Sequence, residues 1–240
     1  MSFFSNSLTH LPDGVKPRMP HPSQPKRTTL CPIPALYPVL DAGFLASVPD
    51  REVFLRRLMR DLAEAGVGIL QYRNKSGDRA EILADGRVIR DAVAGLRMLL
   101  ILNDWPELAI AVGFDGVHVG QTDVSAAEAR GVVGPGKIVG VSTHNEAQLR
   151  AADLQPLDYI AIGPVFATAT KENPDPVVGL EGVRLARSIT RKPVVAIGGI
   201  TLENAAQVRE AGADSVAVIT AVFAPGRDPE KACRDLMALF

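Results

Sequence analysis

Leu99-Leu-Ile-Leu-Asn-Asp-Trp105 and, ten residues on, Asp115-Gly-Val-His-Val-Gly-Gln-Thr-Asp123 form the stretch whose reading decides the fold. Two short apolar runs, Leu99 to Leu102 and Gly116 to Val119, each end in polar residues. Pro106 to Val112 between them reads as a short helix. Proline is tolerated at its first position, and Ala109, Ile110 and Val112 form its apolar face. Strand, helix and strand in this order predict parallel neighbours about 4.8 Å apart. Asp104 and Asp123 then follow strand ends on the same rim. Two carboxylates held there repel unless a proton or a cation lies between them. Oxygen donors without cysteine or clustered histidine suit Mg²⁺, which commonly takes one or two carboxylates plus substrate phosphates. Each aspartate also precedes a helical segment and could be a helix cap. The stretch alone leaves both readings open.

Outward from it the unit recurs. Apolar strands are expected at 35–41, 68–72, 137–141, 158–162, 193–197 and 215–219, in addition to the two above. Helices are expected at 51–65, 78–93, 126–130, 145–152, 180–189, 202–211 and 228–240, with Val53, Phe54, Leu58 and Leu62 as the buried face of the first. Pro38 is unusual within a strand and harmless if the strand bulges there. Eight apolar strands alternating with eight helices predict a single-domain α/β (β/α)₈ TIM barrel, with a doubly wound open sheet as the alternative.

The 240 residues, 47% hydrophobic, suffice for one large core. A net charge of −1 gives no sign of a nucleic-acid or membrane surface. Two cysteines, Cys31 and Cys233, make no disulfide framework, and a reduced cytoplasmic setting is the expectation. Residues 1–33, rich in proline and serine, read as a flexible tail before a catalytic barrel over 34–240. The tail is acid-poor, but its prolines argue against a targeting helix.

A barrel gathers its chemistry at the C-terminal ends of its strands. Gln71, Arg73 and Lys75 alternate onto one side after the second strand if the backbone stays extended, and two cations with an amide suit a polyphosphate, although taken alone the stretch reads more readily as a solvated basic loop. Ser142-Thr-His144 follows the fifth. Gly163-Pro-Val-Phe-Ala-Thr168-Ala169-Thr170-Lys171 begins the longest loop, of the kind that binds or covers ligands. Gly198-Gly199-Ile200 follows the seventh strand and Ile219-Thr220 the eighth, where this fold binds phosphate through backbone N–H groups. Two anion sites are implied, one with cations and a metal, the other with backbone donors.

These stretches, in this order, resemble the thiamine-phosphate synthase family from about Leu36 to the C-terminus. The motifs are Gln71-Tyr-Arg-Asn-Lys75, Asn103-Asp104 with Gly116 to Asp123, Gly140-Val-Ser-Thr-His144, Gly163 to Lys171, and Ala196-Ile-Gly-Gly-Ile200 with Val218-Ile219-Thr220. The resemblance implies a transferase that joins a pyrimidine diphosphate to a thiazole phosphate and releases pyrophosphate. It assigns Gln71, Arg73, Lys75 and Asn103 to the pyrimidine diphosphate, with Tyr72 and Asn74 counted among the substrate-binding residues of the same stretch. Asp104 and Asp123 are the implied Mg²⁺ ligands. Ser142 and Lys171 are further diphosphate contacts and, with Arg73 and Lys75, the implied catalytic residues. Thr168, Ala169, Thr170, Gly199, Ile219 and Thr220 are assigned to the thiazole phosphate. Thr220 stands where the family more often has serine and keeps the hydroxyl. His118 and His144 read as orienting or structural residues. The expected partners are these small molecules, with neither nucleic acid nor membrane, and a homo-oligomer is compatible with the sequence. The competing readings are a thiazole tautomerase-like isomerase, which would need no paired aspartates, and a non-catalytic barrel that binds a phosphate ligand.

Overall fold

The structure, a computed structural model, describes residues 33–46, 48–168 and 175–240. Eight parallel strands close into a barrel in chain order: β1 (Leu36–Asp41), β2 (Ile69–Arg73), β3 (Leu99–Asn103), β4 (Gly116–Val119), β5 (Ile138–Thr143), β6 (Tyr159–Ile162), β7 (Val194–Ile197) and β8 (Ser215–Val218). Closure excludes the open sheet, because β1 pairs with β8 through Leu36 and Val216 and with β2 through Val39 and Gln71. Pro38 needs no bulge. It sits where β1 passes from its β8 partner to its β2 partner, and the strand runs through it unbroken.

The helices are α1 (Ala42–Leu45), α2 (Arg51–Glu64), α3 (Arg79–Ala92), α4 (Pro106–Ala111), α5 (Ala126–Val133), α6 (Glu146–Asp153), α7 (Gly179–Ile189), α8 (Ala205–Glu210) and α9 (Pro229–Met237). Side-chain caps set where several begin: Asp50 for α2, Asp78 for α3, Asn145 for α6 and Asp228 for α9. Ser125 and Glu128 cap α5 reciprocally. The single turn of α1 was not anticipated; Asp41 caps it by accepting from the Gly43 N–H.

Two apolar layers follow from strands buried on both faces. Val39, Ile69, Ile101, Ala161, Val195 and Ala217 fill the barrel, while Leu40, Leu70, Leu102, Val117, Ile160 and Val216 pack outward against the helices. Two expected faces are corrected. Val53 is 62% exposed, and α2 buries Leu55, Leu58, Met59 and Leu62 instead. Ile110 is exposed, and α4 turns Leu108 and Ala109 inward beside Val112. In both helices the 3.6-residue period selects the stripe facing the barrel and leaves one neighbouring apolar residue off it.

Ile33 packs into the inner layer, so the barrel's apolar interior begins one residue before the expected boundary at 34. The rest of the expected tail, Cys31 included, lies outside the described residues. Cys233 is fully buried, and burial pushes its thiol up to about 12. No helix among the described residues is long and apolar enough to cross a membrane.

Candidate active site

A cavity of about 320 Å³ opens at the C-terminal ends of the strands. The β2 pleat turns Gln71 and Arg73 into it, with Lys75 beyond the strand end. Asn103 and Asp104 reach it from β3, His118 and Asp123 from β4 and the turn after it, and Ser142 from β5. Gly199, Ile219 and Thr220 close the opposite side. Two of the cations are held by carboxylates. Arg73 pairs with Asp41, and Lys75 Nζ lies 2.5 Å from Asp104 Oδ2.

Neither Asp104 nor Asp123 is a helix cap. Trp105 occupies the N-cap of α4 and Ser125 that of α5. Asp104 instead adopts a left-handed backbone, φ 70°, the one non-glycine to do so among the described residues. Such a conformation is uncommon away from glycine, and aspartate tolerates it better than most residues. The Asp104 N–H donates to the His118 carbonyl across the strand pair, at 2.8 Å, which fixes the turn beside β4. Asp123 accepts from the Gly120 N–H at 2.8 Å. The two carboxyl groups interact directly. Burial, with Asp123 alongside, pushes Asp104 up to about 6 despite Lys75. Asp123 also meets a burial penalty, but hydrogen bonds from Asp104 and Gly120 outweigh it and hold its carboxyl below the usual range. Below about pH 6 the pair therefore retains a proton that a carboxylate in water would have lost. A cation in the proton's place fits this donor set. No cluster of three or more His, Cys, Asp or Glu exists among the described residues, so substrate oxygens or water would complete the shell, as suits Mg²⁺.

Other polar groups line the cavity with unmet capacity. Asn103 Nδ2 is buried with no hydrogen-bond partner, and an orphaned donor facing a cavity marks a place for a ligand acceptor. His118 is buried, and burial pushes it down to about 4, so it is neutral at pH 7. His144 donates through Nδ1 to the Gly163 carbonyl, 2.5 Å away, and its Nε2 lies 3.3 Å from Asp175. On the far side Gly198 and Gly199 have φ of 100° and 63°. A Cβ on Gly199 would stand 2.5 Å from the Ala167 carbonyl oxygen, so glycine is required both by the backbone and by the neighbouring loop. Among the described residues, the Gly199 and Thr220 N–H groups donate to no backbone carbonyl, which leaves them available to an anion.

The model of the family described as thiamine monophosphate synthase matches residues 36–222. The chain belongs to this family. A thiamine-phosphate synthase of Koribacter versatilis is 52% identical over 187 residues, spanning 78% of this chain and 88% of that protein. One from Chloroflexus aurantiacus is 40% identical over 204 residues, spanning 85% and 91%. Among solved structures, a thiamine phosphate pyrophosphorylase from Pyrococcus furiosus superposes with a TM-score of 0.74 at 30% identity, spanning 85% of this chain and 94% of that one.

Measured against the residues expected for a thiamine monophosphate synthase family member, the structure brings together Gln71, Arg73, Lys75, Asn103, Asp104, Asp123, Ser142, Thr168, Gly199, Ile219 and Thr220 around one cavity. Ala169, Thr170 and Lys171 lie outside the described residues. Two expectations are corrected. Tyr72 and Asn74 point out of the barrel, because the pleat that turns Gln71 and Arg73 inward turns their neighbours outward. Tyr72 donates to buried Asp85, and Asn74 donates to Glu81 at 2.8 Å, with Arg51 joining both carboxylates. They anchor the strand rather than line the cavity. The sequence reading missed Tyr37 and Tyr159, which also face the cavity. An alternation count over β1 and β6 would have placed both inside, but nothing local separates them from outward apolar residues.

Proposed function

We propose that this barrel joins the diphosphate of 4-amino-5-hydroxymethyl-2-methylpyrimidine to the phosphate of 4-methyl-5-hydroxyethylthiazole, yielding thiamine phosphate and pyrophosphate. The observation that carries the reading is one cavity with two unlike anion-binding sides. Arg73, Lys75, Asn103, Ser142 and the carboxylate pair stand on one side, and backbone donors at Gly199 and Thr220 on the other.

The chemistry asks for little acid–base work. The bond from the pyrimidine methylene to the diphosphate oxygen breaks, and the bonding pair leaves with pyrophosphate. The aminopyrimidine ring stabilises the benzylic-type cation left behind. The thiazole nitrogen lone pair then forms the new C–N bond, and it carries no proton that must be removed. Arg73, Lys75 and Ser142 lower the cost of the departing charge. Gly199 and Thr220 hold the thiazole phosphate so that the nitrogen meets the methylene, and alignment supplies much of the rate. Asp104 and Asp123 would hold Mg²⁺, which when bound adds positive charge beside the leaving group. A reduced, cytoplasmic setting accords with the buried free thiol of Cys233.

Purified protein incubated with both substrates and Mg²⁺ should form thiamine phosphate and pyrophosphate in equal amounts. No thiamine phosphate from the complete mixture would overturn the reading. Isomerisation of a thiazole substrate alone, or binding without turnover, would favour the two competing barrels.

A further inference from the structure

Five polar side chains from five strands join across the floor of the cavity. Gln71 Nε2 donates to Tyr37 Oη at 3.2 Å. Tyr37 Oη lies 3.0 Å from Tyr159 Oη, Tyr159 Oη 2.8 Å from His118 Nδ1, and His118 Nε2 2.8 Å from Ser142 Oγ. The line is built rather than incidental. Tyr37 and Tyr159 are 1% and 0% exposed, and their rings meet edge-on. Tyr159 stacks on His118. Its ring occupies the space that a Cβ on Gly140, its register partner on β5, would take.

Counting hydrogens gives the line a direction. Tyr37 accepts from Gln71, and either tyrosine could donate between the two hydroxyls; sending the Tyr37 hydrogen to Tyr159 is the assignment that leaves no buried tyrosine hydroxyl hydrogen without an acceptor. Tyr159 then donates to His118 Nδ1. A neutral imidazole carries one N–H, which is left on Nε2 and donates to Ser142 Oγ. Ser142 has used an acceptor position and has no acceptor for its own hydrogen among the described residues. We propose that Tyr37, Tyr159 and His118 are positioning residues that turn the Ser142 hydroxyl hydrogen toward the leaving diphosphate. Each link polarises the next, so the hydroxyl at the end is a stronger donor to developing negative charge than a free serine. The inference rests on the function proposed above, because it needs an anion beside Ser142.

Tyr159→Phe removes the middle hydroxyl and keeps the ring; Tyr37→Phe removes an earlier one. Two measurements are made on each full-length variant, alone and combined with Ser142→Ala. They are turnover with both substrates, and binding of inorganic pyrophosphate with Mg²⁺ by calorimetry. Tyr159→Phe should lower kcat about tenfold and weaken pyrophosphate binding severalfold, with the KM for thiazole phosphate within about twofold. In the Ser142→Ala background the same change should cost less than about twofold, since the residue it serves is gone. Tyr37→Phe should give the same pattern with smaller losses, and it carries the test if Tyr159→Phe does not fold. Equal losses with and without Ser142 would overturn the proposal, because a purely structural role adds independently. Unchanged turnover and binding in both folded phenylalanine variants would overturn it as well. If the wild type makes no thiamine phosphate, the functional reading fails. The pyrophosphate cycle still decides the line of hydrogen bonds, and a wild type that binds no pyrophosphate overturns both.

Discussion

Asp104 holds a left-handed backbone with its carboxyl against Asp123, an arrangement that costs energy twice, once in φ and once in charge. Asparagine tolerates the same backbone and is nearly isosteric, so Asp104→Asn isolates the charge. Asp104→Asn and Asp123→Asn should each lower turnover at least about tenfold, or about 1.4 kcal/mol of barrier, with melting temperatures near wild type. Turnover against Mg²⁺ concentration checks this, and wild-type activity with unchanged Mg²⁺ dependence in both variants would sink the metal assignment. A pH dependence follows from the same pair. Asp104 titrates at about 6 when folded and near the ordinary carboxylate value when unfolded. The cost of its charge is therefore fully present above about pH 6 and is relieved as pH falls below it. Proton and cation compete for the same oxygens. The rise in melting temperature caused by Mg²⁺ should thus be largest above pH 7 and shrink as pH drops through about 6, as thermal scans would show.

At the scale of elements, β2 has two jobs split by its pleat. Gln71 and Arg73 face the cavity, while Tyr72 on the strand and Asn74 just beyond it tie its end to α2 and α3 through Arg51, Glu81 and Asp85. Asp85 is buried, and removing it takes the acceptor from the Tyr72 hydroxyl and leaves Glu81 as the remaining carboxylate on Arg51. Asp85→Ala should lower stability by about 3 kcal/mol in urea titrations. Tyr72→Phe should be milder, about 1–2 kcal/mol, with both KM values within about twofold of wild type. A large KM change for one substrate alone would return Tyr72 to the cavity. The turn after β7 makes the complementary case. In Gly199→Val the side chain would meet Ala167 and Phe166 with φ at 63°, so the two loops must separate. The KM for thiazole phosphate should rise at least about tenfold while that for the pyrimidine diphosphate stays near wild type. Equal changes in both would count against two distinct sides.

For the whole molecule, closure is completed between β1 and β8, with Leu36 beside Val216 and Ile33 packed into the inner layer. Among the described residues the barrel is complete from Ile33 onward. Deleting residues 2–30 should therefore leave melting temperature and turnover nearly unchanged, in keeping with the proline- and serine-rich composition of that segment. Loss of soluble protein or of most activity would refute this.

Sequence alone determined the order of strands and helices, because apolar runs, caps and breakers act over a few residues. It also placed Asp104, Asp123, Arg73, Lys75 and Ser142 at strand ends, since a parallel barrel sends every such end to one rim. It misjudged Tyr72 and Asn74, grouped with Gln71 and Arg73 by a shared motif, because a motif does not carry the phase of the pleat. The tertiary structure alone decided which residues meet across the barrel. Tyr37 and Tyr159 are separated by 122 residues and touch through their hydroxyls. They meet because closure fixes the register of all eight strands together, and because Gly140, on a third strand, leaves room for the ring. The raised Asp104 carboxyl has the same origin. Its cause is burial and a neighbour 19 positions along the chain, brought close by the pairing of β3 with β4.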